Sequence, residues 1–103
     1  MPILTTKEAA DVLDYTDRNE MPEKVTTVFL PAVDRFIRDA TGKDWGTITD
    51  GYTQVDPTAK MVAGVLLARW FGDPGLIGKV NDSGVLSLIT QLEAKALLER
   101  QTG

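Results

Sequence analysis

The sequence contains no histidine and no cysteine. Carboxylates, lysines and tyrosines are therefore the side chains that could form an acid–base site, and carboxylates those that could bind a metal. That composition removes zinc sites built from Cys and His, thiol nucleophiles and Ser–His pairs. A metal would have to be held by carboxylates alone, and catalysis would fall to Asp, Glu, Lys or Tyr. We therefore expect no catalytic residue, no cofactor and no metal site. An enzyme that uses its acids with Lys43 or Lys60 is the least favoured alternative.

The spacing of the acidic residues does not match a known site. The polar loop from Asp14 to Glu20 lacks the glycine and the closing glutamate of a calcium-binding loop. Asp14 and Asp17 are surface-type neighbours, with no pocket that would raise a pKa. The segment 41–44 contains Thr-Gly-Lys, but the upstream glycine and the Ser/Thr after the lysine of a phosphate-binding loop are missing. The sequence therefore shows no catalytic constellation.

The net charge of −4 comes entirely from residues 1–23, which hold six acids and two bases, whereas the remainder holds nine of each. A chain without a basic footprint should not bind nucleic-acid phosphates by charge. No helix has the basic, polar surface of a helix-turn-helix recognition helix. No apolar run approaches the roughly 18 residues that span a bilayer, so we expect no membrane association.

The chain is organised around the apolar segment 56–71, and the other segments must pack around it. Asp56 is a good N-cap, Pro57 suits the first helical position, and Gly72 at the C′ position should end the helix before Pro74. Apolar residues occupy nearly the whole circumference of this helix. Such a helix must be covered on several sides, by its own chain or by a neighbour.

Three further helices are predicted around this central helix. Thr5 and Glu8 form a capping box that opens a short helix, about 6–13. A long amphipathic helix follows from Pro22 and ends at Gly42; Pro31 either kinks it or splits it into two pieces. Ser83 should cap a final helix over 84–100.

The segment between the second and third helices breaks the helical period. Asp50-Gly51 between two threonine-rich stretches favours a short β-hairpin near residues 47–55. The length of the chain fits one domain, residues 1–103. The fold class is thus all-α: a small bundle of four to five helices around a central apolar helix, with a hairpin near 47–55.

Helical spacing selects the residues expected inside this bundle and those expected at a contact surface. The predicted core consists of apolar residues on the facing sides of the three longer helices: Val28, Phe29, Val33, Phe36, Ile37, Val62, Leu66, Trp70, Leu88, Ile89 and Leu92. The candidate subunit or partner interface consists of a strip on the central helix and leucines off the main face of the last helix: Lys60, Gly64, Leu67, Phe71, Leu86, Leu97 and Leu98. Two alternatives stay open, because loop 43–55 could cover the strip, and the leucines could be scattered at a frayed helix end.

Four motifs, in this order, cover most of the chain: LTTKEAADVLD, ATGKDW, DPTAKMVAGVLLARWFGDPG and SGVLSLITQLE. Together they make the chain resemble the head–tail connector (adaptor) family of long-tailed bacteriophages. Proteins of this family complete the phage head. The chain departs from the family where 72–75 replaces a stretch ending in arginine, and at Glu93, where a basic residue is more usual. These departures bear on subunit and portal contacts.

The resemblance implies a structural protein of the virion that performs no chemistry. It implies a homo-oligomeric ring, a dodecamer, which sits under the portal protein, extends the DNA channel and provides the attachment point for tail or head-completion proteins. DNA would be a partner only as it passes through the channel in DNA packaging, and the acidic segment 1–23 would suit a channel that must not grip phosphates. The location would be the head–tail junction, with synthesis in the bacterial host cytoplasm. The alternative is a small helical regulatory or adaptor domain that binds one protein partner as a monomer or dimer.

Overall fold

The computed structural model describes residues 3–46, 55–80 and 82–102, and over this part of the chain it is all-helical. Four α-helices are present: α1 (Thr6–Val12), α2 (Leu30–Thr41), α3 (Pro57–Gly72) and α4 (Ser83–Thr102). Short helical turns of other types occur at Arg18–Glu20, Val25–Phe29 and Pro74–Leu76. Apart from Val55, the predicted hairpin at 47–55 lies outside the described residues.

The capping box predicted for α1 is confirmed. The Thr5 hydroxyl accepts a hydrogen bond from the Glu8 backbone N–H at 3.1 Å, and the Glu8 carboxylate accepts one from the Thr5 N–H at 3.0 Å. Both bonds satisfy donors that a helix start leaves unpaired. The helix is short and buries Ala9 and Ala10, so its stability depends on packing against the rest of the protein.

The second helical segment is not split at Pro31. Helical residues run without a break from Glu23 to Thr41, but Val25–Phe29 form a π-helical turn in which the Leu30 N–H donates to the Val25 carbonyl. Proline has no N–H to donate, and the widened turn lies directly before it. The helix ends as predicted at Gly42, which has a φ of 80° and donates to the Arg38 carbonyl at 2.7 Å.

The core prediction was wrong for Val28, whose side chain is 50% exposed. Val28 and Phe29 both fit a three-and-four spacing, but only Phe29 lies on the buried side. At about 100° per residue, Val28 lies about 140° round the helix from the buried Val33.

The N-cap predicted for α3 is confirmed, but its end differs by one residue. The Asp56 carboxylate accepts from the backbone N–H groups of Thr58 at 2.7 Å and Ala59 at 3.4 Å. Gly72 is the last helical residue and not a C′ glycine. The next residue, Asp73, is extended because it precedes Pro74, and this ends the helix.

The cap of α4 lies one residue before the predicted Ser83, which is itself the first helical residue. The Asp82 carboxylate accepts from the N–H of Gly84 at 2.8 Å and of Val85 at 3.2 Å. Both α3 and α4 therefore begin with a capping aspartate.

Helix α3 contacts each of the other three α-helices, and α2 also contacts α4. The Trp70 indole lies among these helices, edge-on to Phe36 with ring centroids 5.5 Å apart, and its Nε1–H donates to the Lys79 carbonyl. Of the residues predicted for the core, Phe36 and Leu88 are half-buried and the following are buried: Phe29, Val33, Ile37, Val62, Leu66, Trp70, Ile89 and Leu92. Their burial supplies the main driving force for folding.

Candidate assembly surface

The first half of the predicted interface, the α3 strip, is covered by its own chain. The strip consists of Lys60, Gly64, Leu67 and Phe71. Leu67 is fully buried, so it cannot contact a neighbouring subunit. The other three are half-buried, so within this strip the interface prediction was wrong for Leu67.

The short helix α1 covers the N-terminal part of this strip. Lys60 Nζ lies 2.6 Å from both carboxylate oxygens of Glu8, fifty-two residues away in sequence. A Cβ atom placed on Gly64 would lie 3.4 Å from the Val12 Cγ2, an ordinary contact distance, so α1 packs directly on this part of α3. The neighbour of Gly64 is therefore α1 of the same subunit.

Aromatic residues cover the C-terminal end of the strip. The Phe71 ring is edge-on to Tyr15 at 6.5 Å and to Phe29 at 5.7 Å between centroids. Lys24 Nζ lies 5.7 Å from the centre of the Phe71 ring, within range of a cation–π contact. The strip is thus covered by α1 and by the segment between α1 and α2.

The Glu8–Lys60 pair also has an electrostatic signature. The hydrogen bond from Lys60 lowers the pKa of the Glu8 carboxyl, and the bond from the Thr5 N–H lowers it further. Both groups stabilise the ionised form more than burial opposes it. Glu8 thus joins a helix cap and an interhelical ion pair in one side chain.

The second half of the predicted interface, the leucines of α4, is exposed. Leu86 is 48%, Leu97 46% and Leu98 60% exposed. Leu86 and Leu97 are eleven residues apart, which in an α-helix places them on nearly the same line, about 16 Å apart. Leu98 follows one residue later, about 100° round the helix.

Uncharged residues fill the surface between these leucines. The sequence analysis did not identify these residues. We define the outer face of α4 as the exposed residues that lie opposite its buried side: Leu86, Ser87, Thr90, Ala94, Leu97 and Leu98. A helix that packs one side on a core normally carries its charges opposite. Here the charged residues Glu93, Lys95 and Glu99 fall outside this face. The signal was present in the spacing, because no charged residue shares the three-and-four pattern of 87, 90, 94 and 97.

A smaller exposed strip on α3, also missed, has the same character. Met61 is 54% exposed, Ala68 and Gly72 are exposed, and Val65 is half-buried. We call these four residues the Met61 strip. Their spacing of four, three and four residues places them on one side of α3, away from the side that packs on the core.

Ion pairs fix α4 against the rest of the subunit. Asp56, the cap of α3, pairs with Lys95 of α4 at 3.2 Å, and Asp82, the cap of α4, pairs with Arg69 of α3. The two helices are therefore antiparallel. Burial alone would raise the pKa of Asp56, but hydrogen bonds from Lys95 and from two backbone N–H groups together lower it. At the far end of α4, Glu99 pairs with Lys43.

A cleft beside α2 is one of the concave features among the described residues. It has a volume of about 460 Å³ and combines Leu30 and Pro31 with the side chains of Asp34, Arg35 and Arg38. Burial raises the pKa of Asp34, whose carboxylate accepts a hydrogen bond from the Ile3 N–H at 3.1 Å. That bond ties the start of the chain to α2, which is a structural role.

The described residues contain no group of three or more potential metal-ligating side chains, and every buried side-chain polar atom among them has a partner. None of the helices in the described part of the chain is both long and apolar enough to cross a membrane. Comparison with protein-family models, with curated proteins and with solved structures found no match for this chain.

Proposed function

We propose that this protein is a structural subunit that assembles into a ring and serves as a head–tail connector of a long-tailed bacteriophage. In this proposal α3 is the central helix of each subunit, and the ring, a dodecamer, lies under the portal and extends the DNA channel towards the tail. Tail or head-completion proteins attach to it. The phage part of the proposal rests on the four sequence motifs, and the assembly part rests on the surface of α4.

The exposed leucines of the outer face are the observation that carries assembly. Leu86, Leu97 and Leu98 are each about half exposed, although the same helix buries Val85 and Leu92 in the core. Contiguous apolar surface without charge is typical of the centre of a protein–protein interface. A domain that has completed its own core yet keeps such a face is suited to bind another protein surface.

The distribution of charge supports a role around DNA without binding to it. Asp11, Asp14, Asp17, Glu20 and Glu23 are all exposed, so the negative charge of the N-terminal segment is on the surface. A channel wall of this sign repels phosphates and lets DNA slide, whereas a basic wall would release counterions and hold it. These residues would face the channel.

Native mass spectrometry over a range of protein concentrations, with negative-stain electron microscopy, tests assembly. We expect closed rings to accumulate as concentration rises. Leu97→Asp should remain a folded monomer with unchanged helicity, because it places a charge in the contact without touching the core. Ile77→Asp is the matched control: Ile77 is 37% exposed but lies outside α4, so this variant should assemble like the unaltered protein.

Monomers at every concentration would contradict the ring and favour the alternative, a small adaptor domain that binds one protein partner. A loss of helicity in Leu97→Asp would instead show that Leu97 stabilises the subunit. The phage part has a separate test: the gene for this chain should lie beside genes for portal or capsid proteins, and the purified portal should bind the ring. A ring that ignores the portal would contradict that part alone.

A further inference from the structure

We infer that the outer face of α4 packs on the Met61 strip of a second copy of this chain. The inference rests on the proposed self-assembly and specifies which surfaces meet. The two surfaces in this contact differ, so each subunit would use its outer face to contact one neighbour and its Met61 strip to contact the next. Contacts between unlike patches are the kind that closes a ring.

The two surfaces match in period and length. Positions 87, 90, 94 and 97 of α4 and positions 61, 65, 68 and 72 of α3 both repeat at alternating steps of three and four. That repeat averages about 3.5 residues, the period of two helices packed side by side along a seam. Each seam is about 15 Å long at about 1.5 Å per residue.

Three of the charged groups that border the seams are already paired inside the subunit. On α3, Lys60 is bound to Glu8 and Arg69 to Asp82. On α4, Lys95 is bound to Asp56. For these three groups, packing the seams together would not strip water from an unpaired charge, which is a main cost that opposes burial of polar surfaces. Glu93 borders the outer face and would stay at the solvated rim.

The sizes of the side chains are complementary as well. The outer face has leucines towards its ends and Ser87, Thr90 and Ala94 between them, whereas the Met61 strip begins with a long side chain and ends in Ala68 and Gly72. Met61 can lie against the small residues of α4, and a leucine can lie against Ala68 and Gly72. Small residues at a seam let helices approach closely and pack without voids.

A second copy is the occupant that covers both surfaces at once. If α4 paired with α4 of another copy, Met61 would stay 54% exposed in every subunit. Contact of α4 with the Met61 strip buries both uncharged surfaces of every subunit in one type of interface. Neither surface carries the charge that an acidic or basic partner would need to recognise.

Cysteine cross-linking tests the pairing, because the chain has no cysteine of its own. Ala94→Cys on α4 is mixed with Met61→Cys or Ala68→Cys on α3, two positions that cover different registers of the seam, and the α3 variants carry a mass tag. We expect a short bis-maleimide to link unlike variants in the mixtures, and each variant alone to give less than a tenth of that yield. Ile77→Cys mixed with Ala94→Cys is the control and should give the background yield.

The outcomes separate this inference from the proposed function. Rings that form without a link between α4 and α3 variants would overturn the pairing and leave the ring intact. Ala94→Cys that links to itself as strongly as to the α3 variants would replace the pairing by an α4–α4 contact. Protein that stays monomeric at every concentration would overturn the pairing and the ring together.

Discussion

The α3 strip and the outer face of α4 share a sequence pattern but have opposite surroundings. Both contain apolar residues that lie off the main buried side of a helix. The strip is covered by α1 and by aromatic residues, and Leu67 within it is fully buried. The outer face keeps three leucines about half exposed. An off-face leucine therefore indicates that a helix needs a second covering element, but not whether that element belongs to the same chain.

The contacts of α1 account for the difference. It buries Ala9 and Ala10, and Glu8 pairs with Lys60 of α3 next to Gly64. The leucines of α4 stay about half exposed, and the ion pairs of Lys95, Asp82 and Glu99 lie towards α3 and the end of α2. Substitutions in the α3 strip and in the outer face of α4 should therefore have different effects.

The largest effect is expected at Leu67. Leu67→Ala should lower the free energy of unfolding by about 2–5 kcal/mol, because it removes fully buried methyl groups and leaves a cavity. Leu97→Ala, at an exposed leucine, should cost less than about 1 kcal/mol. Urea denaturation of both variants at a concentration where the protein is monomeric measures the difference. Equal losses in the free energy of unfolding would mean that Leu97 contributes to the core of the subunit as much as Leu67 does.

A smaller effect is expected at the cap of α3. Asp56→Ala should cost about 0.5–2 kcal/mol, because it removes the acceptor for two backbone N–H groups. Asp56→Asn keeps an acceptor and should cost less, and the difference between the variants isolates the cap from the ion pair with Lys95. Urea denaturation at neutral pH measures both losses.

The same two variants predict the response to acid. Since folding lowers the pKa of Asp56 below its ordinary 3.8, its ionised form stabilises the protein above that pH. The contribution is lost as the pH falls through the lower pKa of the folded state. Asp56→Asn should therefore lose less stability than the unaltered protein below pH 3.8. Parallel acid curves for the two proteins would show that the ion pair contributes nothing.

The smallest effect is expected at Gly64, and it is a gain. Gly64→Ala should raise the free energy of unfolding by about 0.5–1 kcal/mol, because alanine favours a helix and its Cβ would meet Val12 at an ordinary contact distance of 3.4 Å. Gly72→Ala, which has open space around it, is the control for helix propensity near the helix end. Thermal unfolding measures both changes. A loss at Gly64 alone would show that α1 packs too tightly on α3 to admit a methyl group.

Local features of this fold were predictable from the sequence because they depend on neighbouring residues. The caps at Thr5 and Asp56 and the helix end at Gly42 each follow from a hydrogen bond or a backbone angle formed within a few residues. The cap of α4 was misplaced by one residue because Ser83 and Asp82 are both good caps, and only the structure shows which one bonds the N–H groups.

Features that depend on distant residues were not predictable. Nothing in the local pattern shows that Glu8 reaches Lys60, fifty-two residues away, so the cover of the α3 strip was assigned to a neighbour or to loop 43–55, and not to α1. The π turn before Pro31 and the exposure of Val28 were also missed. For the candidate surface, the leucines of α4 were named from their spacing, whereas the uncharged residues between them gained meaning only from their exposure.

The two capping aspartates have a mechanical consequence. Each one starts its own helix and holds a cation of the other, so α3 and α4 are tied near both ends of their antiparallel overlap. Neither helix can slide along the other without breaking both ion pairs. The pair should therefore move as a single rigid strut, which carries the outer face and the Met61 strip at a preset separation. A subunit built this way would lose little conformational entropy when neighbours dock on both sides.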